Sequence, residues 1–224
     1  MEQTYTITSS EKRARFAVTF IVIATALVVV QNTLGYVNVQ ALSQYSGLVR
    51  EDLLYIYYTV IGLIGSAVVL MFIASSVSFI MWFWKAYGNL EKLGCWTLSA
   101  RGWTIGCWFI PLANLYLPYM YMREMFDGAN RLLTDKNELS RNRASTKAVL
   151  IWWILFVSLI LFNQLSHELI PFLRSNRIAY SIVIATSSIL VVISGIFAVK
   201  MIRSYVGAEK ELMMKPNNDD NLNL

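Results

Sequence analysis

Few residues in this chain could do chemistry, and they are scattered. The single histidine, His167, stands beside Glu168 in the stretch SHELIP. A histidine next to a carboxylate is the smallest kit for general acid–base work. Here the pair lies in a short loop between apolar runs, where it reads as solvated surface. Cys95 and Cys107 are 12 residues apart, with no second pair to match them. Neither a zinc spacing nor a disulfide framework follows from that. Glu124 and Asp127 come just after Arg123 at helical spacing, and read as paired surface charges rather than an acid–base couple. HExxH, a glycine-rich phosphate loop and a nucleophile elbow do not occur in the sequence. The expectation is a protein that is not an enzyme, with no catalytic, metal-binding or cofactor-binding residues.

What the chain has in quantity is uncharged apolar length. Of its 224 residues 56% are hydrophobic and only 15% charged. Charge is absent from residues 16–49, 53–84, 102–122, 148–166 and 178–199. Uncharged apolar runs of 18 residues or more read as transmembrane helices. The net charge of +5 is carried by Lys and Arg beside these runs. That placement orients a chain in a bilayer, and nucleic acid is not an expected partner. Lys12, Arg13 and Arg15 precede the first run as in a signal peptide, but the only Ala-x-Ala, at 24–26, lies inside the apolar core. The first helix is therefore expected to stay uncleaved.

Four crossings are secure, at about 15–37, 54–84, 148–166 and 178–199. The run 102–122 is 21 residues long, which is enough for a fifth. The positive-inside rule decides against it. With four crossings and both termini inside, 16 of the 19 basic residues fall on the inner side; with five, the split is nearly even. The reading is an all-α integral membrane protein with four transmembrane helices and a proline-broken segment, re-entrant or lying flat on the cytoplasmic side. Its parts are a cytoplasmic tail at 1–14, a first hairpin at 15–84, a central cassette at 85–147, a second hairpin at 148–199, and a cytoplasmic tail at 200–224 ending in disorder. The seven tryptophans, Trp82, Trp84, Trp96, Trp103, Trp108, Trp152 and Trp153, would then anchor the inner interface. Two amide pairs, Gln31-Asn32 and Asn163-Gln164, reach the same depth, which predicts that they meet. The small residues Gly62, Gly65, Ser66, Gly195 and Ala198 would let helix backbones approach.

The central cassette, residues 82–130, is the segment that could carry function. Lys85, Asn89 and Lys92 share one face of an expected short helix with Gly94 at its end. Pro111 and Pro118 each remove a backbone donor and free a carbonyl four residues earlier, and Asn114 stands near that break. Such a break must be satisfied by protein or must line a cavity. The stretch resembles a bacterial membrane family catalogued as domain of unknown function 4328. The matching residues are Trp84-Lys85-Ala86-Tyr87 with Asn89-Leu90, then Gly102-Trp103. Trp108-Phe109-Ile110-Pro111 with Asn114-Leu115 follows, then Pro118-Tyr119 with Met122-Arg123-Glu124. Leu117, Met120 and Gly88 stand where the family pattern often has basic or polar residues. The resemblance implies a multi-pass bacterial membrane protein and no particular activity.

The candidate positions are thus Trp84, Lys85, Tyr87, Asn89, Trp103, Trp108, Pro111, Asn114, Pro118, Tyr119, Arg123 and Glu124. The expected role is an interaction, scaffold or lipid-contacting component of the bacterial inner membrane. Its partners would be the bilayer, with anionic headgroups at the cytoplasmic face, and a membrane-protein partner or a second copy. The alternative is a small transporter or channel subunit that uses the broken segment as its site.

Overall fold

The computed structural model describes residues 7–44, 51–95, 98–136, 143–173 and 176–214. Its elements are α1 (Glu11–Gln44), α2 (Glu51–Lys92), α3 (Trp103–Gly106), a 3-10 turn (Ala113–Leu115), α4 (Leu117–Lys136), α5 (Thr146–Leu173) and α6 (Arg177–Met214). Four of these, α1, α2, α5 and α6, are long and apolar enough to cross a membrane. The loops carrying Arg50 and Arg174, the stretch with Trp96, and residues 215–224 lie outside the described residues.

The long helices overrun a bilayer. The 42 residues of α2 reach about 63 Å at 1.5 Å per residue, against roughly 30 Å of hydrocarbon. No separate short helix follows residue 84; α2 continues unbroken to Lys92. Gly94, at φ 88°, then ends it. The Cys95 N–H donates to the Leu90 carbonyl at 3.3 Å and the Gly94 N–H to the Glu91 carbonyl at 3.0 Å, a Schellman stop. Likewise 200–214 is not a tail but the end of α6. Ala198, Met201, Ile202, Tyr205, Ala208 and Leu212 recur at helical spacing and are all buried, so an apolar stripe carries the helix through a charged stretch.

Side by side, the long helices run in the order α2, α1, α6, α5. Within the apolar slab many of their side chains remain exposed. The compact core sits at one end of the bundle, the head. There α2 contributes Trp82, Phe83, Tyr87 and Leu90, α4 contributes Met122, Met125, Phe126 and Leu133, and α6 contributes its stripe. Trp82, Trp152 and Trp153 are buried in this core instead of anchoring an interface. The reason is α4 and its approach, which put protein where headgroups were expected. Trp84 and Trp108 are half-buried and Trp103 is exposed.

The matched amides reach the same place without meeting each other. Asn32 Nδ2 donates to Ser188 Oγ at 3.0 Å, and Ser187 Oγ donates to Asn163 Oδ1 at 3.2 Å. Since α6 lies between α1 and α5, two consecutive serines on it take one amide each. Of the small residues, Gly195 acts as expected and Gly62 does not. A Cβ at Gly62 would meet nothing within 4 Å, whereas one at Gly195 would lie 2.8 Å from Thr25 Oγ1, so α1 packs its threonine directly against the bare face of α6. Gly195→Ala should destabilise the protein by about 1–3 kcal/mol in detergent melts, and Thr25→Ala in the same chain should restore most of it.

Candidate functional site

The sequence-selected residues fall into two groups on the head. The first surrounds the end of α2. Tyr87 is buried, and its hydroxyl donates to the Ser99 carbonyl at 3.0 Å and to Glu124 Oε1 at 3.3 Å. Glu124, on α4, also accepts from the Ser99 N–H, and from Ser99 Oγ at 3.1 Å. This carboxylate therefore pins the α2–α3 connection to α4. Gly128 completes the joint: a Cβ there would lie 2.8 Å from Cys95 Sγ. Trp84 carries the Arg101 guanidinium flat on its ring, with Cζ 3.4 Å from the centroid, while Arg101 Nε donates to the Trp84 carbonyl at 3.1 Å. Gly88 makes room for it, since a Cβ would come within 2.2 Å of Arg101 Cζ. Burial lowers the proton affinity of Arg101, which nonetheless stays charged.

Asn89, expected on one face with Lys85 and Lys92, is buried. Its Nδ2 donates to the Thr8 carbonyl at 2.9 Å and to Glu209 Oε1 at 2.7 Å. Glu209 in turn accepts from the Ser10 N–H at 3.0 Å and from Ser10 Oγ at 2.6 Å, both on Oε2. Lys85 Nζ donates to Thr8 Oγ1 at 2.8 Å. One buried carboxylate on α6 thus ties together the start of α1, the end of α2 and its own helix. The sequence reading missed Glu209, although a signal exists. It stands four residues after Tyr205 and beside Ala208, inside the apolar stripe of α6, where an unpaired carboxylate is rare.

The second group forms a hairpin. α3 is a single turn, and Trp108 follows it with Nε1 donating to the Thr104 carbonyl at 3.1 Å. The Trp108 ring meets Phe79 of α2 at 5.9 Å and Trp153 of α5 at 6.2 Å. Trp153 Nε1 donates to the Leu115 carbonyl at 3.2 Å, fixing the return strand of the hairpin. Trp103 stacks on Tyr121, and Tyr119 lies near Tyr116. The prolines do not break a continuous helix. Pro111 sits in the turn, and Pro118 sits in the first turn of α4, where a missing donor costs nothing. Asn114 donates its backbone N–H to the Ile110 carbonyl at 3.0 Å, and its side chain is exposed. Arg123 stands apart from both groups, 3.5 Å from Asp127 on the open face of α4.

At the tip the chain bends tightly. Leu112 has φ 65° and ψ −44°, and the Ala113 N–H donates to the Pro111 carbonyl at 2.8 Å. This is a γ-turn of the strained hand, rare for a residue with a side chain. Leu112 is 83% exposed and Phe109 73%, and Ile110, Leu115 and Tyr116 are exposed as well. No sequence pattern marked Leu112, because any residue between two proline-bearing stretches could have taken the bend. Among the described residues no group of three or more His, Cys, Asp or Glu could hold a metal ion.

Two outcomes follow from this geometry. Glu209→Ala leaves Ser10 and Asn89 donors buried without an acceptor, and should cost about 3 kcal/mol in a thermal melt; Glu209→Gln, which keeps one acceptor, should cost less. Leu112→Gly should raise stability by about 1 kcal/mol through relief of the turn, measured the same way.

Comparison with curated proteins and with solved structures gives no match. Residues 46–207, from before α2 to within the last turns of α6, match the family described as Domain of unknown function (DUF4328). The match takes in Arg101 with its Trp84 and Gly88 seat and the strained tip, but not Thr8, Ser10 or Glu209, and the chain belongs to this family.

Proposed function

We propose that the protein is a non-catalytic, multi-pass component of the bacterial inner membrane, with both termini in the cytoplasm, that holds lipid or a membrane partner through its head. The observation that carries this reading is the exposed apolar tip of the α3–α4 hairpin. Its depth can be counted. Trp108 packs on Phe79, six residues before Lys85, and on Trp153, six residues after Lys147. Six residues of helix are about 9 Å. The hairpin therefore reaches about 9 Å past the level where charge begins, the usual depth of a segment that enters one leaflet and stays there. Phe109, Ile110, Leu112, Leu115 and Tyr116 point out with no charge among residues 102–122. Continuity with the exposed faces of α2 and α5 favours hydrocarbon as what they meet. A hairpin in one leaflet gives the head a fixed height and a lipid-contacting rim.

A transport role would use the proline turn as a site among the helices. The exposed position of Pro111 and Leu112 weighs for the lipid-contacting reading instead. Uncharged interiors in all four crossings weigh the same way, since they provide no relay or ion-binding carboxylate.

Site-directed labelling tests the proposal. With Leu112→Cys carrying a fluorophore in a lipid nanodisc, quenchers attached high on the acyl chains should quench strongly and an aqueous quencher weakly. Cys95 and Cys107 are buried and should label slowly. Free aqueous access at Leu112 would overturn insertion.

A further inference from the structure

We propose that Arg13 and Arg101, both at the Trp84 indole, form with Lys85, the next residue of α2, a binding site for a phosphate group. Arg101 lies flat on the indole with Cζ 3.4 Å from its centroid, and Arg13 Cζ stands 5.9 Å from the same ring. Arg13 Nη1 donates to the Met81 carbonyl at 3.2 Å, so both guanidinium groups are moored to the same turn of α2. Lys85 is the next residue along that helix. The three charges are close enough that Arg13 and Arg101 both bear unfavourably on the Lys85 ammonium.

Three cations held together by carbonyls and a π face need an anion. No carboxylate lies within ion-pair distance of any of the three among the described residues. Glu91 acts on Arg101, and Glu209 on Lys85, through space without forming a pair. Glu209 is moreover committed to Ser10 and Asn89. The fold keeps this cluster at some expense. Gly88 is left bare inside a helix so that Arg101 can settle there, although a glycine weakens a helix interior. Arginine forks suit phosphate oxygens, and the nearby ammonium adds a point charge.

Position names the favoured source. The uncharged run of α1 begins at residue 16 and that of α2 ends at residue 84, so Arg13 and Lys85 lie on one boundary. If the head faces the inner leaflet, as the proposed function holds, that boundary is where headgroup phosphates lie. An anionic lipid headgroup then fits better than free inorganic phosphate, whose chemistry is the same.

The test uses the full chain in detergent, titrated with anionic phosphatidylglycerol, with zwitterionic phosphatidylcholine, and with inorganic phosphate. Bound lipid is counted by native mass spectrometry and stabilisation is followed by melting. Wild-type protein should retain one phosphatidylglycerol more tightly than phosphatidylcholine. Arg13→Gln and Lys85→Gln should each weaken that binding about fivefold, and Arg203→Gln, elsewhere on the head, should leave it unchanged. Arg101→Gln also removes the bond to the Trp84 carbonyl, so Lys85→Gln, which spares the stacking, carries the decision. Stabilisation by inorganic phosphate, lost in the same variants, would make free phosphate the source and still support the site. Equal loss in Arg203→Gln, or no effect of either ligand, would overturn it. The Leu112 label separates the two proposals. A failed site with a lipid-quenched tip leaves the proposed function standing, and a failed site with an aqueous tip removes both.

Discussion

Lipid gives helices no hydrophobic reason to associate, because hydrocarbon is as comfortable against leucine as leucine is. This chain meets that constraint by concentrating its tight packing at one end of the bundle. A buried carboxylate, Glu209, draws together the ends of α1, α2 and α6, and aromatic residues fill the space around it. Tyr205 illustrates the economy of the joint. Its ring meets Trp82 and Phe126, and its hydroxyl donates to the Ala86 carbonyl at 3.2 Å. Above this knot the helices are held by the seat that Gly195 leaves for Thr25 and by two serine–amide bonds.

The head also explains why the central segment need not cross. A hairpin of this length cannot satisfy its own backbone in hydrocarbon. Here Trp153 supplies a donor to Leu115, and Trp108 wedges between α2 and α5. Two tryptophans from different parts of the chain thus serve as the walls of a shallow socket. What remains outside the socket is apolar and bent into a turn that a leucine tolerates poorly.

Four helices long and apolar enough to cross a membrane were legible in the sequence because their signal is uncharged length, which no neighbour can change. The stop at Gly94 was legible for the same kind of local reason. Partners were harder. Matched depth did bring Asn32 and Asn163 to one place, but depth says nothing of which helix stands between them. Indoles at the end of an apolar run look alike whether they face headgroups or protein, and Trp82, Trp152 and Trp153, expected to anchor in headgroups, are buried in protein. The face of Lys85 and Asn89 looked solvated because the segment that covers it, around Thr8 and Ser10, is some 80 residues away in the chain. Glu209 was overlooked since a charge after the last apolar run reads as tail. Arg101 was seen only as a boundary, because nothing local reveals that Gly88 is its seat.

The bond between Ser10 and Glu209 joins residues 199 positions apart. Its closure therefore waits for α6. A nascent chain meets its segments in order, and α1 and α2 can enter the bilayer and pair long before α6 exists. Until α6 is made, Trp82 lacks its contact with Tyr205, the Ala86 carbonyl lacks its donor, and Asn89 has no acid to bond. The head therefore cannot close before α6 is made: a chain stopped short of that helix would leave the ends of α1 and α2 without the carboxylate that joins them.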